Sequence, residues 1–248
     1  MKKIGIVGGV AWQSTMHYYA ELCRRSERYL ASRPPGVPST PEISIESLDH
    51  AKAVSYIGSD GDEESWVQFD EYHRLALKRL EASGVDFALI ASNTPHHRFD
   101  TIVRGIGIPV ISILEVAAKE SARIGAQQVL LLGTALTMSS SKVRQEFARH
   151  GVAAISPTDG TARSMTIKLI ADLQLGKLEG ASERLGRIAK RSFGSQASNP
   201  PAVCLACTEL PLAFERMKRL ATFEHDGILF LNTTVMHINA AFNFALDQ

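Results

Sequence analysis

Residues 85–94 read VDFALIASNT, and residues 202–209 read AVCLACTE. In each stretch a short apolar run, typical of a β-strand covered on both faces, leads directly into a polar motif. The motifs are Ser-Asn-Thr at 92–94 and Cys-Thr-Glu at 207–209. Parallel α/β sheets place ligand chemistry beyond the carboxyl ends of their strands. Because the arrangement occurs once in each half of the chain, we expect a site built by two similar lobes, one supplying a thiol and the other a hydroxyl.

Helix and strand signals alternate along all 248 residues, which indicates an α/β fold with parallel sheets and covering helices. The strand candidates are short apolar runs at 3–7, 42–48, 86–91, 110–113, 128–132, 152–155, 202–206 and 228–231. The helical stretches between them are predicted to end at glycines, namely Gly84, Gly125, Gly151, Gly176 and Gly194. The proline-rich stretch 33–38 is predicted to be a loop.

The two halves of the chain repeat one order of features. Residues 4–9, IGIVGG, and residues 129–134, VLLLGT, each combine a strand with a glycine, and each precedes its strand-and-polar-motif stretch by a similar span. This repetition indicates a weak internal duplication. We expect a first lobe of residues 1–113 with 228–248, to which the last strand and helix return, and a second lobe of residues 114–227.

The composition argues against several classes of protein. The hydrophobic fraction of 45% and the charged fraction of 21% are ordinary for a soluble globular chain. The formal net charge is +1 and the basic residues are dispersed, so we expect no nucleic-acid partner. No apolar run approaches the ~20 residues of a membrane-spanning helix, and the first residues do not form a signal peptide. We therefore expect a cytoplasmic protein with no membrane partner.

The three cysteines, Cys23, Cys204 and Cys207, are too few and too unevenly placed for a disulfide framework. Cys204 and Cys207 form a C-x-x-C pair, but a structural zinc site needs a second pair, so we expect no metal. Residues three apart on a strand point to opposite faces, which makes Cys204 a packing residue and Cys207 the candidate functional thiol. A helix start after Cys207 is expected to lower the thiol pKa from about 8.5 toward neutrality.

The turn after the first strand, GGVAWQST at 8–15, has two interpretations. Its glycine spacing differs from the dinucleotide-binding fingerprint, and no Walker A sequence is present. The turn therefore suits a small anion. Alternatively, Ser14 or Thr15 serves only as a helix N-cap.

The polar groups around the two motifs also have modest structural interpretations. Ser92 and its neighbours are good turn formers, and His96 or His97 could act as an acid, a base or a partner of Ser92. Glu115 and Glu209 both open helical stretches, so we interpret them as capping carboxylates rather than general bases.

Four motifs in order resemble the aspartate/glutamate racemase family, specifically its aspartate-racemase-like branch of cofactor-independent enzymes. The opening IGIVGGVAWQST at 4–15 looks like IG(L/I)(I/V)GGMSWEST. LGTALTM at 132–138 is similar to LGTxxTM, and LACTELPL at 205–212 resembles GCTE(I/L)PL. The fourth motif, SNTPH at 92–96, departs from the family's CNTxH because serine replaces the first cysteine. The resemblance covers nearly the full length of the chain.

The resemblance implies two flavodoxin-like (Rossmann-like) lobes related by pseudo-two-fold symmetry, an active site in the cleft between them, and usually a homodimer. It also implies racemisation of an amino acid without a cofactor. One group removes the α-proton and a second returns a proton to the far face, since inverting a near-planar carbanion needs a donor on each side. Here Cys207 takes the thiol role and Ser92 stands in place of the usual first cysteine.

The resemblance also assigns the residues that bind the substrate. These are Asn93, Thr94, Thr208, Lys52, Thr134 and Gln174. Lys52 falls where a relative uses a basic residue for a substrate carboxylate. Gln174 stands where some relatives carry a lysine, so the substrate need not be aspartate or glutamate.

The serine at position 92 keeps other functions open. A serine hydroxyl is far less acidic than a thiol, so Ser92 is a poor unaided base. We expect Cys207 to abstract a proton from one enantiomer and the other enantiomer to react sluggishly. One alternative is a single-thiol decarboxylase or isomerase of a small dicarboxylate. The other is a non-catalytic, amino-acid-binding relative.

Overall fold

The computed structural model describes residues 1–30, 40–59, 61–193 and 201–247. They form two compact units, Met1–Ser112 with Ile238–Gln248, and Ile113–His237. The predicted loop over 33–38 and the predicted helix end at Gly194 lie outside the described residues. Within the described ranges, no helix is long and apolar enough to cross a membrane.

The first unit is built on a parallel four-stranded sheet with the order β2-β1-β3-β4. Its strands are β1 (Ile4–Gly8), β2 (Ile43–Ser47), β3 (Phe87–Ile90) and β4 (Val110–Ile111). Its helices are α1 (Trp12–Leu30), α2 (His50–Ser55), α3 (Val67–Ala82) and α4 (Phe99–Ile102), with short 3-10 helices at Glu64–Trp66 and Thr94–Arg98. The central strands β1 and β3 are buried throughout, whereas the edge strand β2 is only partly covered.

The core of the first unit lies between its sheet and two helices. Ile6 and Leu89 project from β1 and β3 against Tyr18 and Leu22 of α1. Ile238, from the last helix of the chain, packs on the same cluster. Every residue of β1 and β3 is buried, so both faces of these central strands are covered, which accounts for their continuous apolar runs.

The second unit has a five-stranded sheet with the order β6-β5-β7-β9-β8. Its strands are β5 (Gln128–Gly133), β6 (Ala153–Ile155), β7 (Ala202–Ala206), β8 (Thr222–His225) and β9 (Ile228–Asn232). Its helices are α5 (Ile113–Arg123), α6 (Ala135–Ser139), α7 (Ser141–Arg149), α8 (Gly160–Gln174), α9 (Ala181–Phe193) and the first part of α10 (Thr233–Leu246), with a 3-10 helix at Leu210–Ala213. All strand pairs are parallel except β8 with β9.

The α/β class with parallel sheets is confirmed, and all eight predicted strands are present with bounds within two residues. Apart from the added strand β8, both sheets follow one order, in which the second strand of the unit lies beside the first and the third lies on the other side. Four predicted helix ends are also confirmed, because Gly84, Gly125, Gly151 and Gly176 take positive φ angles directly after helices.

Two expectations about the end of the chain need correction. The strand at 228–231 was expected in the first lobe, but β9 pairs with β7 in the second sheet. Only the following helix returns, since α10 joins the first unit from Ile238. Strand β8, which forms a hairpin with β9, was not predicted from the sequence. Asp226 and Gly227 form its turn with φ of 49° and 71°, as a two-residue hairpin loop requires.

Candidate active site

In each sheet, the order of successive strands reverses direction at one pair of neighbouring strands. In the first unit, β2 lies on one side of β1 and β3 lies on the other, so the switch point is between β1 and β3. The corresponding pair in the second unit is β5 and β7. Open α/β sheets bind ligands beyond the carboxyl ends of strands at such points. Ser92 follows β3 and Cys207 follows β7. Both candidate catalytic residues therefore lie where this topology favours a site.

The two cysteines of the C-x-x-C pair lie on opposite faces of β7. Cys207 packs with Leu205 and Leu210 in one core cluster, whereas Cys204 packs with Leu231 in the other. Complete burial raises the pKa of Cys204 to about 12. The divergence of the two thiols and the packing role of Cys204 are thus confirmed. Among the described residues, no group of three or more His, Cys, Asp or Glu could hold a metal ion.

Cys207 contacts a buried carboxylate. Its Sγ donates to Oε2 of Glu209 over 2.8 Å, and Oγ1 of Thr208 donates to the same oxygen over 3.2 Å. The side chains of this group are enclosed, with Cys207 5% and Glu209 4% exposed. Glu209 makes no side-chain capping bond to the 3-10 helix that follows. Its interpretation as a capping carboxylate is therefore wrong, because its oxygen is engaged by the thiol and by Thr208.

The environment of Cys207 keeps its thiol protonated. Burial, followed by the neighbouring Glu209 carboxylate, raises the pKa of Cys207 well above its usual range. The expected lowering by a helix start is wrong. The helix after Cys207 is a four-residue 3-10 turn, Leu210–Ala213, whose small dipole is outweighed by desolvation and a like charge. The resulting group is a protonated thiol that donates a hydrogen bond to a carboxylate.

A pair of threonine hydroxyls lies at the end of the neighbouring strand β5. Thr134 caps α6, accepting from the Thr137 N–H at 3.3 Å, and the two Oγ1 atoms are 3.0 Å apart. Gly133 precedes them, and a Cβ there would lie 2.6 Å from the Ala206 carbonyl oxygen. The glycine thus allows the end of β5 to approach the last residue of β7. The two threonine hydroxyls that follow it lie at the carboxyl end of the sheet.

In the first unit, the motif at 92–94 forms a tight turn into a 3-10 helix. The Ser92 N–H donates to the Ile90 carbonyl at 2.8 Å, and Asn93 occupies the N-cap position of the 3-10 helix that begins at Thr94, without a side-chain capping hydrogen bond. Nδ1 of His96 lies 2.8 Å from the Ser92 carbonyl oxygen, so it contacts the backbone of the motif. The ring of His96 also stacks on the ring of Phe99, with 5.2 Å between the two ring centroids.

The turn between β1 and α1 is closed by Thr15. Its Oγ1 accepts from the Gly9 N–H at 2.9 Å and lies 3.3 Å from the Ala11 carbonyl. A Cβ on Gly8 would lie 2.5 Å from the Thr15 side chain. The Gly9 N–H is thus used internally, which argues against an anion at this donor. Thr15 also lies inside α1, which begins at Trp12, rather than at its N-cap.

The remaining predicted binding residues lie apart from these groups along the chain. Lys52 in α2 is exposed, and its ammonium lies 5.0 Å from the ring centroid of Tyr72 and 5.9 Å from that of Tyr56. Gln174 is the exposed last residue of α8. Their roles, and the opposition of Ser92 to Cys207, stay predictions.

Sequence reasoning missed Glu209 as the partner of Cys207, and it missed the Thr134–Thr137 pair. Both had a signal. A carboxylate two residues after a thiol can fold back on it where the chain leaves a strand, and two threonines three apart share one helix face.

Comparison with known proteins agrees with this architecture. Residues 7–241 match the family model described as Asp/Glu/Hydantoin racemase. An aspartate racemase homologue from Pyrococcus horikoshii OT3 is 26% identical over 100% of both chains, with a TM-score of 0.77. A candidate Asp/Glu racemase from Yersinia pestis is 25% identical over 100% of both chains, with a TM-score of 0.80. An aspartate racemase from Picrophilus torridus, 19% identical over 98% of this chain and 94% of its own, shares the fold with a TM-score of 0.71. From this match, which spans nearly the whole sequence, we conclude that the chain belongs to the Asp/Glu/hydantoin racemase family.

Proposed function

We propose that the chain is a cofactor-independent amino-acid racemase in which Cys207 and Glu209 move the α-proton on one face of the substrate. Ser92 acts on the other face. The observation that carries this proposal is the 2.8 Å hydrogen bond from Sγ of Cys207 to Oε2 of Glu209. It supplies a buried thiol with an adjacent proton acceptor, at the strand end where this topology favours a ligand.

Proton abstraction begins with transfer of the Cys207 proton to Glu209. The thiolate then takes the α-proton, so that Cys207 is a thiol again and the substrate is a carbanion. The hydroxyl of Ser92 donates a proton to the opposite face. The serine recovers its proton from water, and Glu209 gives up the proton it took to the hydroxide that this leaves, so that both residues return to their starting states. The reverse direction needs Ser92 to act as the base, which a hydroxyl does poorly. We therefore expect one enantiomer to react much faster than the other.

The substrate's amino and carboxylate groups bind to small polar side chains. Asn93 and Thr94 from the first unit and Thr208 from the second serve this role, and each can donate a hydrogen bond to a carboxylate. Thr134 lies at the end of the strand next to that of Cys207, where its hydroxyl can stabilise charge that develops as the α-proton leaves. Donors fixed before the reaction need no reorganisation in the transition state.

The side chain of the substrate is recognised by Lys52 and Gln174. Lys52 presents an ammonium steadied by two tyrosine rings, which suits a carboxylate or carbonyl group. Gln174 is neutral and can bond a polar group of either kind. Comparing turnover of aspartate, glutamate, asparagine and serine measures this preference, and Lys52→Met should weaken binding of the acidic substrates alone.

Exchange of the α-proton tests the reaction. Each enantiomer of several amino acids is incubated in deuterated water, and loss of the α-proton signal is followed by NMR. Cys207→Ala should abolish exchange, whereas Cys204→Ala, which removes the other thiol of the pair, should keep it. Absence of exchange from every amino acid, in a folded wild-type protein, would contradict the proposal.

Replacing Ser92 with cysteine tests the asymmetry. A second thiol is acidic enough to serve as a base on the far face, so two-way racemisation should rise sharply in Ser92→Cys. Ser92→Ala should leave exchange by Cys207 on one face and remove inversion. Equal behaviour of these two variants would contradict the role of Ser92.

One observation favours a second reaction. The chain has three cysteines, and of these Cys204 is a core residue and Cys23 lies in α1, so Cys207 is the one thiol of the candidate site. A single proton donor suffices when a carbanion arises by loss of CO₂, as in a decarboxylase of a small dicarboxylate. Release of CO₂ or cis–trans isomerisation without racemisation supports that function. Tight amino-acid binding by calorimetry with no exchange indicates a non-catalytic relative.

We also propose that the chain forms a homodimer and works in the cytoplasm. Both follow from the family resemblance together with the ordinary composition of the chain. Light scattering coupled to gel filtration should give twice the 27.1 kDa mass of one chain. Cell fractionation tests the location.

A further inference from the structure

Behind the serine motif, Arg98 lies in a buried cluster of charges. Its Nε and Nη2 donate to the two carboxylate oxygens of Asp70, the closest contacts being 3.1 Å to Oδ1 and 2.8 Å to Oδ2. The side chains of Arg98 and Asp70 are 4% and 5% exposed. Glu63 bonds the guanidinium from the solvent side at 2.7 Å, with its own side chain 78% exposed. The Trp66 ring centroid lies 5.4 Å from Cζ of Arg98.

This cluster ties the segment after the motif to α3. Arg98 is the last residue of the 3-10 helix Thr94–Arg98, and Asp70 lies in the first turn of α3. One turn further along α3, Nη2 of Arg74 donates to the Thr101 carbonyl at 2.6 Å. The helix α3 therefore holds the segment that follows Ser92 at two points, four residues apart on one helix face.

The contact runs back from Arg98 to the motif through a short rigid stretch. The His96 N–H donates to the Asn93 carbonyl at 3.0 Å, and Nδ1 of His96 contacts the Ser92 carbonyl oxygen at 2.8 Å. At the other end, β3 holds the motif through the Ser92 N–H bond to Ile90. Arg98 and the motif therefore belong to one hydrogen-bonded stretch of the chain.

Stability alone does not account for this arrangement. Burying an ion pair takes two charges out of water, and apolar residues of similar volume usually stabilise a fold equally well or better. The planar guanidinium instead fixes direction, because its parallel N–H groups match a carboxylate in one orientation. Two carboxylates on adjacent edges of the guanidinium, Asp70 at Nε and Nη2 and Glu63 at Nη1 and Nη2, fix the side chain more tightly than one.

We propose that Arg98, held by Asp70, is a positioning residue that sets the location of Ser92 and Asn93 at the carboxyl end of β3. The inference rests on the proposed function, since it gives these two residues their role toward the substrate. Arg98 touches no reacting atom. It acts by fixing the 3-10 helix on which the motif ends.

The test removes the whole buried pair, so that the exposed carboxylate of Glu63 is the one charge of the cluster left behind. In the double variant Arg98→Met/Asp70→Leu, the urea midpoint should stay close to that of the wild type, while kcat for racemisation falls about 10- to 100-fold, as a shift of about 1 Å can cause. The matched control is Arg149→Met/Glu146→Leu, a 2.8 Å ion pair of α7 in the second unit, which should keep kcat and KM. A stable double variant with wild-type kinetics would overturn the proposal.

A second readout does not depend on activity. Amide hydrogen exchange measured by mass spectrometry should rise at least about 10-fold over residues 92–98 in the double variant, with the strands of the second unit unchanged. If the double variant does not fold, Arg98→Lys keeps the charge, loses the fork, and should show the same local rise. Unchanged amide exchange over 92–98 refutes positioning. If the wild type turns over no amino acid, the proposed function fails, and amide exchange still decides this inference.

Discussion

Replacing Glu209 with glutamine should speed the alkylation of Cys207 and slow α-proton exchange. The glutamine keeps the shape of the side chain and an oxygen that accepts the Sγ hydrogen bond, but it removes the charge. In the wild type that charge, after burial, raises the pKa of Cys207. The same carboxylate is the proposed acceptor of the thiol proton. One substitution therefore moves two readouts in opposite directions.

The size of both effects follows from the 2.8 Å separation of Sγ and Oε2. A like charge at contact distance makes ionisation about 10- to 1000-fold harder. A less basic thiolate is also a weaker nucleophile, with a Brønsted slope of about 0.4–0.5, so about half of that logarithmic gain is lost. Alkylation should accelerate about 3- to 30-fold. Loss of the proton acceptor should slow exchange at least about 100-fold, the usual contribution of one acid–base group.

The assay follows modification by iodoacetamide at pH 7.5 with mass spectrometry of each cysteine peptide. Cys23 lies in the other unit, and its unchanged rate in the same sample serves as the internal reference. Glu115→Gln, a substitution of a half-buried carboxylate in α5, is the matched control. A wild-type or slower alkylation rate at Cys207 in Glu209→Gln would refute the electrostatic reasoning, whatever happens to activity.

Three further outcomes test the structure. Gly8→Ala should lower the free energy of unfolding by about 1–3 kcal/mol in urea titrations, because its Cβ would lie 2.5 Å from the Thr15 side chain; an unchanged midpoint contradicts the close approach. Burial lowers the pKa of His73, so the unfolded chain binds this proton more readily, and stability should be full above about pH 6.5 and decline below it. His73→Gln should flatten that decline in thermal melts between pH 5 and 7, and an identical slope would exclude the residue. Cys204→Ala should lose about 1 kcal/mol by calorimetry while Cys207 alkylates at its wild-type rate.

Local patterning predicted most of the fold. Strands buried on both faces need continuous apolar runs, which is why β1, β3 and β7 could be located from the pattern of apolar residues along the sequence. The hairpin strand β8 was not predicted because its four residues, TFEH, contain a single apolar side chain, Phe223, and lie at a sheet edge. The sheet to which β9 belongs could not be read locally either, since pairing depends on which neighbour is available in space.

The features of the candidate site also fall into those that could be predicted from local sequence and those that depend on packing. The polar motifs after β3 and β7 and the divergence of Cys204 and Cys207 could be predicted from the sequence, because strand periodicity and chain order are local properties. The protonation of the Cys207 thiol could not be predicted in this way and follows from the folded chain.

That protonation depends on how deeply Sγ is desolvated and on where the Glu209 carboxylate folds, and neither is encoded by spacing. The contact of Arg98 with Asp70, 28 residues away, is likewise a product of packing. Electrostatic energies depend on distance and burial in three dimensions, so the protonation of Cys207 and the Arg98–Asp70 contact could not be predicted from the order of residues along the chain.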